Sequence, residues 1–209
     1  MENVKKNISA DMSGNILDIK DLAVSFDVYG LRSYVLDGIN FTVKKGQRVG
    51  LVGESGCGKT TTLKAILRVL AKNGRIDSGD IEFEGNSIYG MKADKLAHMR
   101  QTGVGMIFQD PSSALNPVFT IESQFLTALK YAYNKTKTKS ELQKIAIEAL
   151  ESVMLPDPER IMSSYPFQLS GGMRQRVCIA ITIAAGRKVL LADAVSYTHL
   201  RAHETLSDL

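Results

Sequence analysis

The sequence contains few cysteines, no tryptophan and no long apolar run. Its 209 residues include only two cysteines, Cys57 and Cys178. They lie far apart and match no metal-ligand or disulfide spacing, which favours a reducing compartment. The longest apolar run extends from Val177 to Ala185, well short of the roughly 20 residues that a transmembrane helix needs. We therefore expect a cytoplasmic chain that contacts a membrane only through a partner.

Charge and polarity exclude two further classes of protein. Residues 1–15 contain no apolar stretch, so we expect a polar N-terminal tail and no signal peptide. The net charge of +4 is a mild basic excess. The densest basic run, Asn134 to Lys144, contains no aromatic residue between its lysines, and we interpret it as a solvated loop that enters a helix. We expect no nucleic-acid partner, because a base-stacking surface needs such aromatic residues.

Hydrophobic residues make up 44% of the chain, enough for a sizeable core. Their spacing predicts short strands alternating with helices, which is typical of an α/β core. The predicted strands cover residues 16–26, 35–43, 48–52, 80–84, 104–108 and 189–192. Helices are predicted from Lys59 to Asn73–Gly74, within 117–165 including 141–154, and from about 172 to 185. The stretch 117–165 then forms a helical insert in the α/β core.

A glycine-rich motif lies between the predicted strand 48–52 and the helix that follows it. The motif fits G-x-x-x-x-G-K-[ST] and consists, with the threonine after it, of Gly53, Glu54, Ser55, Gly56, Cys57, Gly58, Lys59, Thr60 and Thr61. Its backbone N–H groups and the helix N-terminus favour phosphate oxygens. Lys59 supplies a positive charge, and the Thr60 hydroxyl is a hard oxygen ligand for Mg²⁺. The alternative is a glycine-rich turn with a chance lysine, but the strand–loop–helix context favours nucleotide binding. Cys57 needs no redox role.

A second element of this kind precedes the helix predicted at 172–185. Ser170, Gly171 and Gly172 provide a hydroxyl, accessible N–H groups and a helix dipole at one place. An ordinary N-cap explains these residues equally well. The longer string LSGGMRQR, residues 169–176, resembles the signature motif of ABC ATPases and favours phosphate recognition.

Other landmarks follow in the order typical of that family. Gln109 matches the Q-loop glutamine, and Asp193 matches the aspartate that ends the Walker B strand. Phe26 lies where the family stacks an aromatic ring on adenine, although Tyr29 or Tyr34 could serve instead. The stretches MIFQDPSSALNP (106–117) and YPFQLSGGMRQR (165–176) resemble the oligopeptide, dipeptide and nickel importers in particular.

The resemblance covers residues 16–193 and implies a fold of the α/β class. The expected fold is a P-loop NTPase with a RecA-like core, an antiparallel β-subdomain and a helical subdomain, incomplete at the C-terminus. The core and β-subdomain would occupy about 16–90 and 166–193, and the helical subdomain about 91–165.

The resemblance also implies the function, an ATP-binding subunit that couples ATP hydrolysis to uptake of peptides or nickel. Lys59, Gln109 and Asp193 would be catalytic, and Thr60, Gln109 and Asp193 would hold Mg²⁺. ATP would lie between this chain and a second ABC ATPase subunit, identical or not. Transmembrane permease subunits would hold the chain at the cytoplasmic face of the plasma membrane, docking near the Q-loop and the helical subdomain. A substrate-binding protein would act indirectly.

The C-terminal tail departs from the family. Ala194 stands where the family has a catalytic glutamate, and the sequence after it, VSYTHLRAHE, matches the translation of a transposase adapter used in sequencing libraries. We interpret residues 194–209 as a non-native tail. His199 and His203 are then neither metal ligands nor the family's switch histidine.

Two rival functions remain open on the sequence. The first is a non-transport ABC protein acting on DNA or ribosomes, but such proteins carry long insertions around the helical segment. The second is a module that binds nucleotide without hydrolysing ATP. Because the catalytic glutamate is missing, this description would apply to the present fragment.

Overall fold

The computed structural model describes residues 14–133 and 136–193. The chain divides into two compact units between Leu96 and Ala97. The predicted boundary between core and helical subdomain, at residue 90, remains a prediction.

The first unit is built on an antiparallel sheet of four strands, β1 (Asn15–Val28), β2 (Leu31–Lys44), β3 (Gly74–Phe83) and β4 (Asn86–Ser87). Their order in the sheet is β2-β1-β3-β4. Tyr29 and Gly30 join β1 to β2 with φ angles of 50° and 79°, the left-handed pair that a tight two-residue hairpin turn requires. The predicted strands 16–26 and 35–43 are confirmed, and β3 begins earlier than the predicted strand 80–84.

Apolar side chains of β1 form the core of this unit. Leu17, Ile19, Leu22 and Val24 are almost completely buried, together with Ile81 of β3. Burial of such side chains contributes roughly 1.5–3 kcal/mol each. β1 is paired on both sides, with β2 and β3, which agrees with the large number of its buried apolar side chains.

The helix α1 (Lys59–Ile66) ends about two turns earlier than predicted. Arg68 adopts a left-handed backbone with φ 56°, and the N–H groups of Arg68 and Val69 donate to the carbonyls of Ala65 and Lys64. These two hydrogen bonds form a Schellman motif, in which Arg68 takes the left-handed position that is usually occupied by glycine. The Arg68 guanidinium donates to the carbonyls of Ile88 and Met91, at 3.3 and 3.0 Å, and these bonds stabilise the turn. The predicted stop at Asn73–Gly74 is wrong, since Gly74 begins β3.

The predicted buried strand at residues 48–52 is also wrong. These residues belong to neither sheet of the described residues, and Val49, Leu51 and Val52 are 47%, 42% and 86% exposed. A strand needs a neighbour for its backbone hydrogen bonds. Within residues 14–133 and 136–193 no segment pairs with this apolar run, so its strand propensity is not realised.

The second unit combines helices with a short parallel sheet. The helix α2 (Ala93–His98) lies at the division between the units and continues into a π-helical turn, Met99–Gly103. The remaining elements are β5 (Val104–Ile107), α3 (Pro111–Ala114), α4 (Ile121–Ala132), α5 (Lys139–Ser152), α6 (Pro158–Ser163), a 3₁₀ turn (Pro166–Gln168), α7 (Gly171–Ala184) and β6 (Val189–Ala192).

One apolar cluster holds the helices of this unit together. Phe125 of α4, Leu142 and Leu150 of α5, Ile161 of α6 and Val177 of α7 are fully or almost fully buried in it. Because α5 turns its predicted apolar side into the cluster, the helical prediction for 117–165 is confirmed. The Thr138 and Glu141 side chains form a capping box at the start of α5, in which each side chain accepts a hydrogen bond from the backbone N–H of the other residue.

The strands β5 and β6 run parallel, with Ile107 opposite Ala192. The four residues of β5 are buried, but the predicted strand 104–108 is one residue too long, because Phe108 lies beyond β5 and is 45% exposed. β6 alternates, with Val189 and Leu191 buried and Leu190 46% exposed. Their carboxyl ends therefore lie at one edge of the sheet, with Asp193 directly after β6 and Gln109 two residues after β5.

Candidate nucleotide-binding site

The loop before α1 curls through two left-handed glycines. Gly56 and Gly58 have φ angles of 84° and 96°, a region that glycine enters without steric cost. A Cβ at Gly58 would lie 2.5 Å from Leu36 Cδ2, so this position also lacks room for a side chain. The Thr62 N–H donates to the Gly58 carbonyl at 2.9 Å and ties the loop to the helix. The local fold thus has the curled, glycine-rich conformation that the motif predicts.

The Lys59 ammonium bridges back across this loop. Its Nζ donates to the carbonyls of Gly53 at 2.7 Å and Glu54 at 2.6 Å, and lies 3.6 Å from Cys57 Sγ. Hydrogen bonds from a charged donor are stronger than neutral ones. Lys59 therefore holds the loop in its curled form and keeps a positive charge within it.

Among the described helices, α1 differs from α4 and α5 in the capping of its N-terminus. Its N-cap, Gly58, makes no side-chain cap, and its first turn contains no acidic residue. By contrast, α4 and α5 have threonine caps, and each has a glutamate in its first turn, Glu122 and Glu141. Since the helix dipole attracts negative charge at this end, α1 is suited to bind phosphate.

Three aromatic residues near the β1–β2 turn are accessible to a base. Tyr29 is 102% exposed and Tyr34 66%, and Phe26 is partly buried on β1. Phe26 lies opposite Ser33 on one side and Gly74 on the other. The sequence predicts Gly74 only as a helix end, but a Cβ at Gly74 would meet the Phe26 ring at 2.6 Å. No local signal predicts this contact, because the two residues lie on different strands far apart in sequence.

The second motif forms the N-terminus of α7 as predicted. Ser170 is the N-cap, and its hydroxyl accepts a hydrogen bond from the Met173 N–H at 3.3 Å. Gly171 and Gly172 are exposed, and a Cβ built on either would meet nothing within 4 Å. Like α1, α7 has no acidic residue in its first turn. The packing within residues 14–133 and 136–193 therefore does not explain the two glycines.

Gln109 and Asp193 follow the carboxyl ends of the two parallel strands. The Asp193 N–H donates to the Ile107 carbonyl at 3.0 Å, which places Asp193 beside the strand end that leads into Gln109. Asp193 is 8% exposed, and Gln109 is exposed. Amide and carboxylate oxygens fit Mg²⁺, which is bound through one or two carboxylates together with substrate phosphates.

The predicted site residues fall into both units. Phe26 and the loop from Gly53 to Thr61 belong to the first, and Gln109, Ser170–Gly172 and Asp193 belong to the second. Among the described residues, no three His, Cys, Asp or Glu side chains form a group that could hold a metal by themselves. No helix in the described part of the chain is long and apolar enough to cross a membrane. Ala194, His199 and His203 lie outside the described residues.

Known proteins resemble this chain in both sequence and fold. The Bacillus subtilis oligopeptide transport ATP-binding protein OppD is 40% identical over 85% of the chain, which covers 49% of OppD. The Lactococcus lactis dipeptide transport ATP-binding protein DppD is 38% identical over 85% of the chain, which covers 51% of DppD. The chain thus spans about half the length of these relatives.

A solved structure resembles the described fold. It is a dimeric post-hydrolysis state of the ATP-binding cassette MJ0796 bound to ADP and phosphate, with a TM-score of 0.76 and 27% identity. The match covers 87% of this chain and 75% of the cassette. The family model described as ABC transporter matches residues 36–196. The chain therefore belongs to the ABC transporter family and carries that family's ATP-binding domain.

Proposed function

We propose that this chain is part of the ATP-hydrolysing subunit of an importer for peptides. The observation that carries the proposal is the pair of phosphate-type helix N-termini, α1 and α7, in a chain that resembles oligopeptide and dipeptide transport proteins. Nickel is the alternative cargo. Among the described residues, the longest helices, α5 and α7, have 14 residues, which gives no support to the DNA- or ribosome-acting alternative with its long insertions.

In this proposal the loop from Gly53 to Thr60 holds the triphosphate. Backbone N–H groups and Lys59 bind the phosphate oxygens, and the Phe26 ring stacks on adenine. Thr60, Gln109 and Asp193 would hold Mg²⁺, which supplies charge neutralisation on the phosphates when it is bound. Gln109 and Asp193 would place their oxygens at the sheet edge that the parallel strands define.

A second subunit completes the site in this proposal. Gly171 and Gly172 leave open space at the start of α7, and Ser170 presents its hydroxyl beside the helix dipole. We propose that the nucleotide of an identical or related subunit approaches this surface closely. The dimeric form of the related cassette supports this arrangement.

The permease partner would dock on an apolar surface of the second unit. Val118 and Phe119 are 69% and 52% exposed, and the rings of Tyr165 and Phe167 stack at 5.5 Å. The Gln124 amide group donates to the carbonyls of Asn116 and Phe119, both at 2.9 Å, and holds this loop in place. Docking here would place the chain at the cytoplasmic face of the plasma membrane, and a substrate-binding protein would act only through the permease.

We also propose that residues 194–209 are a non-native tail. The adapter match in the sequence supports this, and a native parent would carry glutamate in place of Ala194. A general base contributes typically 10²–10⁴-fold to the rate, so this chain should not hydrolyse ATP measurably. Amplification of the source locus with a downstream primer tests the idea. Recovery of the VSYTHLRAHE codons from genomic DNA, for a protein that still hydrolyses ATP, would show that the tail is native.

The decisive experiment for the function uses the full-length parent with its permease in proteoliposomes. Gly172→Asp should abolish ATP hydrolysis and uptake of a labelled tripeptide, because the aspartate places a negative charge against a phosphate of the opposite subunit. Binding of ATP by the variant subunit alone should be unchanged. Gly14→Asp is the matched control, since it adds the same charge at an open position of the first unit. Undiminished tripeptide uptake by Gly172→Asp would refute the proposal, and uptake of nickel in place of the tripeptide would correct the cargo.

A further inference from the structure

Gly74 lies directly against the ring of Phe26. The two residues are cross-strand partners in the β1–β3 pair. A Cβ at Gly74 would lie 2.6, 3.0 and 3.2 Å from Cε1, Cδ1 and Cζ of Phe26. Because van der Waals contact between carbon atoms needs roughly 3.5–4 Å, the ring can occupy its present place only opposite a glycine.

The backbone around this pair is held by hydrogen bonds. The Asp27 N–H donates to the Asn73 carbonyl at 2.9 Å, and the Asn73 side-chain amide donates to the Asp27 carbonyl at 3.0 Å. The Gly74 N–H donates to the Ala71 carbonyl at 2.8 Å. An added methyl group at Gly74 would therefore be accommodated by movement of the Phe26 side chain rather than by separation of the strands.

We propose that Gly74 is a positioning residue that sets the place of the Phe26 ring for stacking on the adenine base. This inference rests on the proposed role of Phe26 in nucleotide binding. A binding side chain must be held within about 0.5 Å of its productive position. A Cβ at Gly74 would lie 2.6 Å from the Phe26 ring. Restoring an ordinary contact distance would move the ring by about 1 Å, which is more than the roughly 0.5 Å that binding tolerates.

A purely structural role for Gly74 makes a different prediction. An aromatic ring that covers a strand glycine also stabilises the sheet. If this were its whole function, a substitution at Gly74 would change the stability of the unit and would affect all ligands of the loop alike. A positioning role affects only ligands that contain a base, since inorganic tripolyphosphate does not reach Phe26.

The test compares ATP with inorganic tripolyphosphate by calorimetry on the 209-residue chain. Phe26→Ala should weaken ATP binding about 10-fold, within the range for loss of one aromatic–base stack, and leave tripolyphosphate binding unchanged. Gly74→Ala should weaken ATP binding by a similar factor, also without effect on tripolyphosphate. The double variant should bind ATP no more weakly than Phe26→Ala alone. Gly14→Ala, at an open position before β1, is the matched control and should change neither affinity.

The outcomes separate this inference from the function on which it rests. Full ATP affinity in Gly74→Ala, with a loss in Phe26→Ala, would overturn the positioning role and leave the proposed function intact. Equal affinity of wild type and Phe26→Ala for ATP would instead refute the stacking role of Phe26. If Gly74→Ala does not fold, Asn73→Ala takes its place, because it removes the exposed bond to Asp27 without a clash. It should give a smaller loss confined to ATP, and an equal loss for both ligands would refute positioning.

Discussion

Replacement of Lys59 by alanine tests the phosphate loop most directly. The Nζ atom donates to two loop carbonyls at 2.7 and 2.6 Å, so the substitution removes both a charge and the bridge that holds the loop. A hydrogen bond to a charged group contributes roughly 1.5–3 kcal/mol. With the added cost of ordering a loosened loop, we expect ATP binding to weaken by about 2–4 kcal/mol, or about 30- to 700-fold.

Calorimetric titration with ATP, ADP and AMP measures this effect on folded protein. The loss should be largest for ATP and smallest for AMP, because Lys59 acts on the phosphates beyond the first. Lys64→Ala is the control, since it removes the same charge from an exposed position in the last turn of α1. Circular dichroism and a thermal melt establish that both variants fold. Equal ATP affinity for wild type and Lys59→Ala would refute the assignment of the loop.

Three further predictions concern stability and thiol chemistry. Phe125 is completely buried in the helical cluster, so Phe125→Ala should cost about 3–5 kcal/mol in the free energy of unfolding of the second unit, measured in urea; a loss below 1 kcal/mol would contradict the packing. Met154 is 78% exposed and has a left-handed backbone with φ 56°. Because glycine adopts this backbone without steric cost, Met154→Gly should raise the free energy of unfolding by about 0.5–1 kcal/mol, and a decrease would contradict this reasoning. Burial raises the pKa of the Cys178 thiol to about 11, which keeps it protonated at pH 8, whereas Cys57 is exposed. Iodoacetamide at pH 8 should therefore modify Cys57 first, as mass spectrometry of peptides would show, and equal rates would contradict the burial of Cys178.

Local sequence determined most elements that need only short-range information. The alternating pattern of 16–26 and 35–43 predicts the two long strands, and Tyr29–Gly30 supplies the left-handed turn between them. Ser170 and the left-handed Gly186 lie at the two ends of α7, because N-caps and C-terminal glycines act through hydrogen bonds within a few residues. The phosphate loop likewise follows from the glycine positions and Lys59.

The failures occurred where distant residues decide the local structure. The run 48–52 has the composition of a buried strand, yet a strand forms only against a neighbour, and the described residues supply none. The helix α1 ends at Ile66 because Arg68 turns away toward the carbonyls of Ile88 and Met91. Those acceptors lie about twenty residues onward, beyond the range of any helical pattern.

The sequence by itself determined the family motifs, the first two strands and the chemistry of the candidate site residues. Only the tertiary structure decided that Gln109 and Asp193 share one sheet edge, through the parallel register of β5 and β6. It alone placed Gly74 against the Phe26 ring. The physical reason is the same in both cases. Strand pairing brings together residues that are far apart in the chain, and the pairing register is set by the burial of whole apolar faces. The few residues that meet across the strands do not set it themselves.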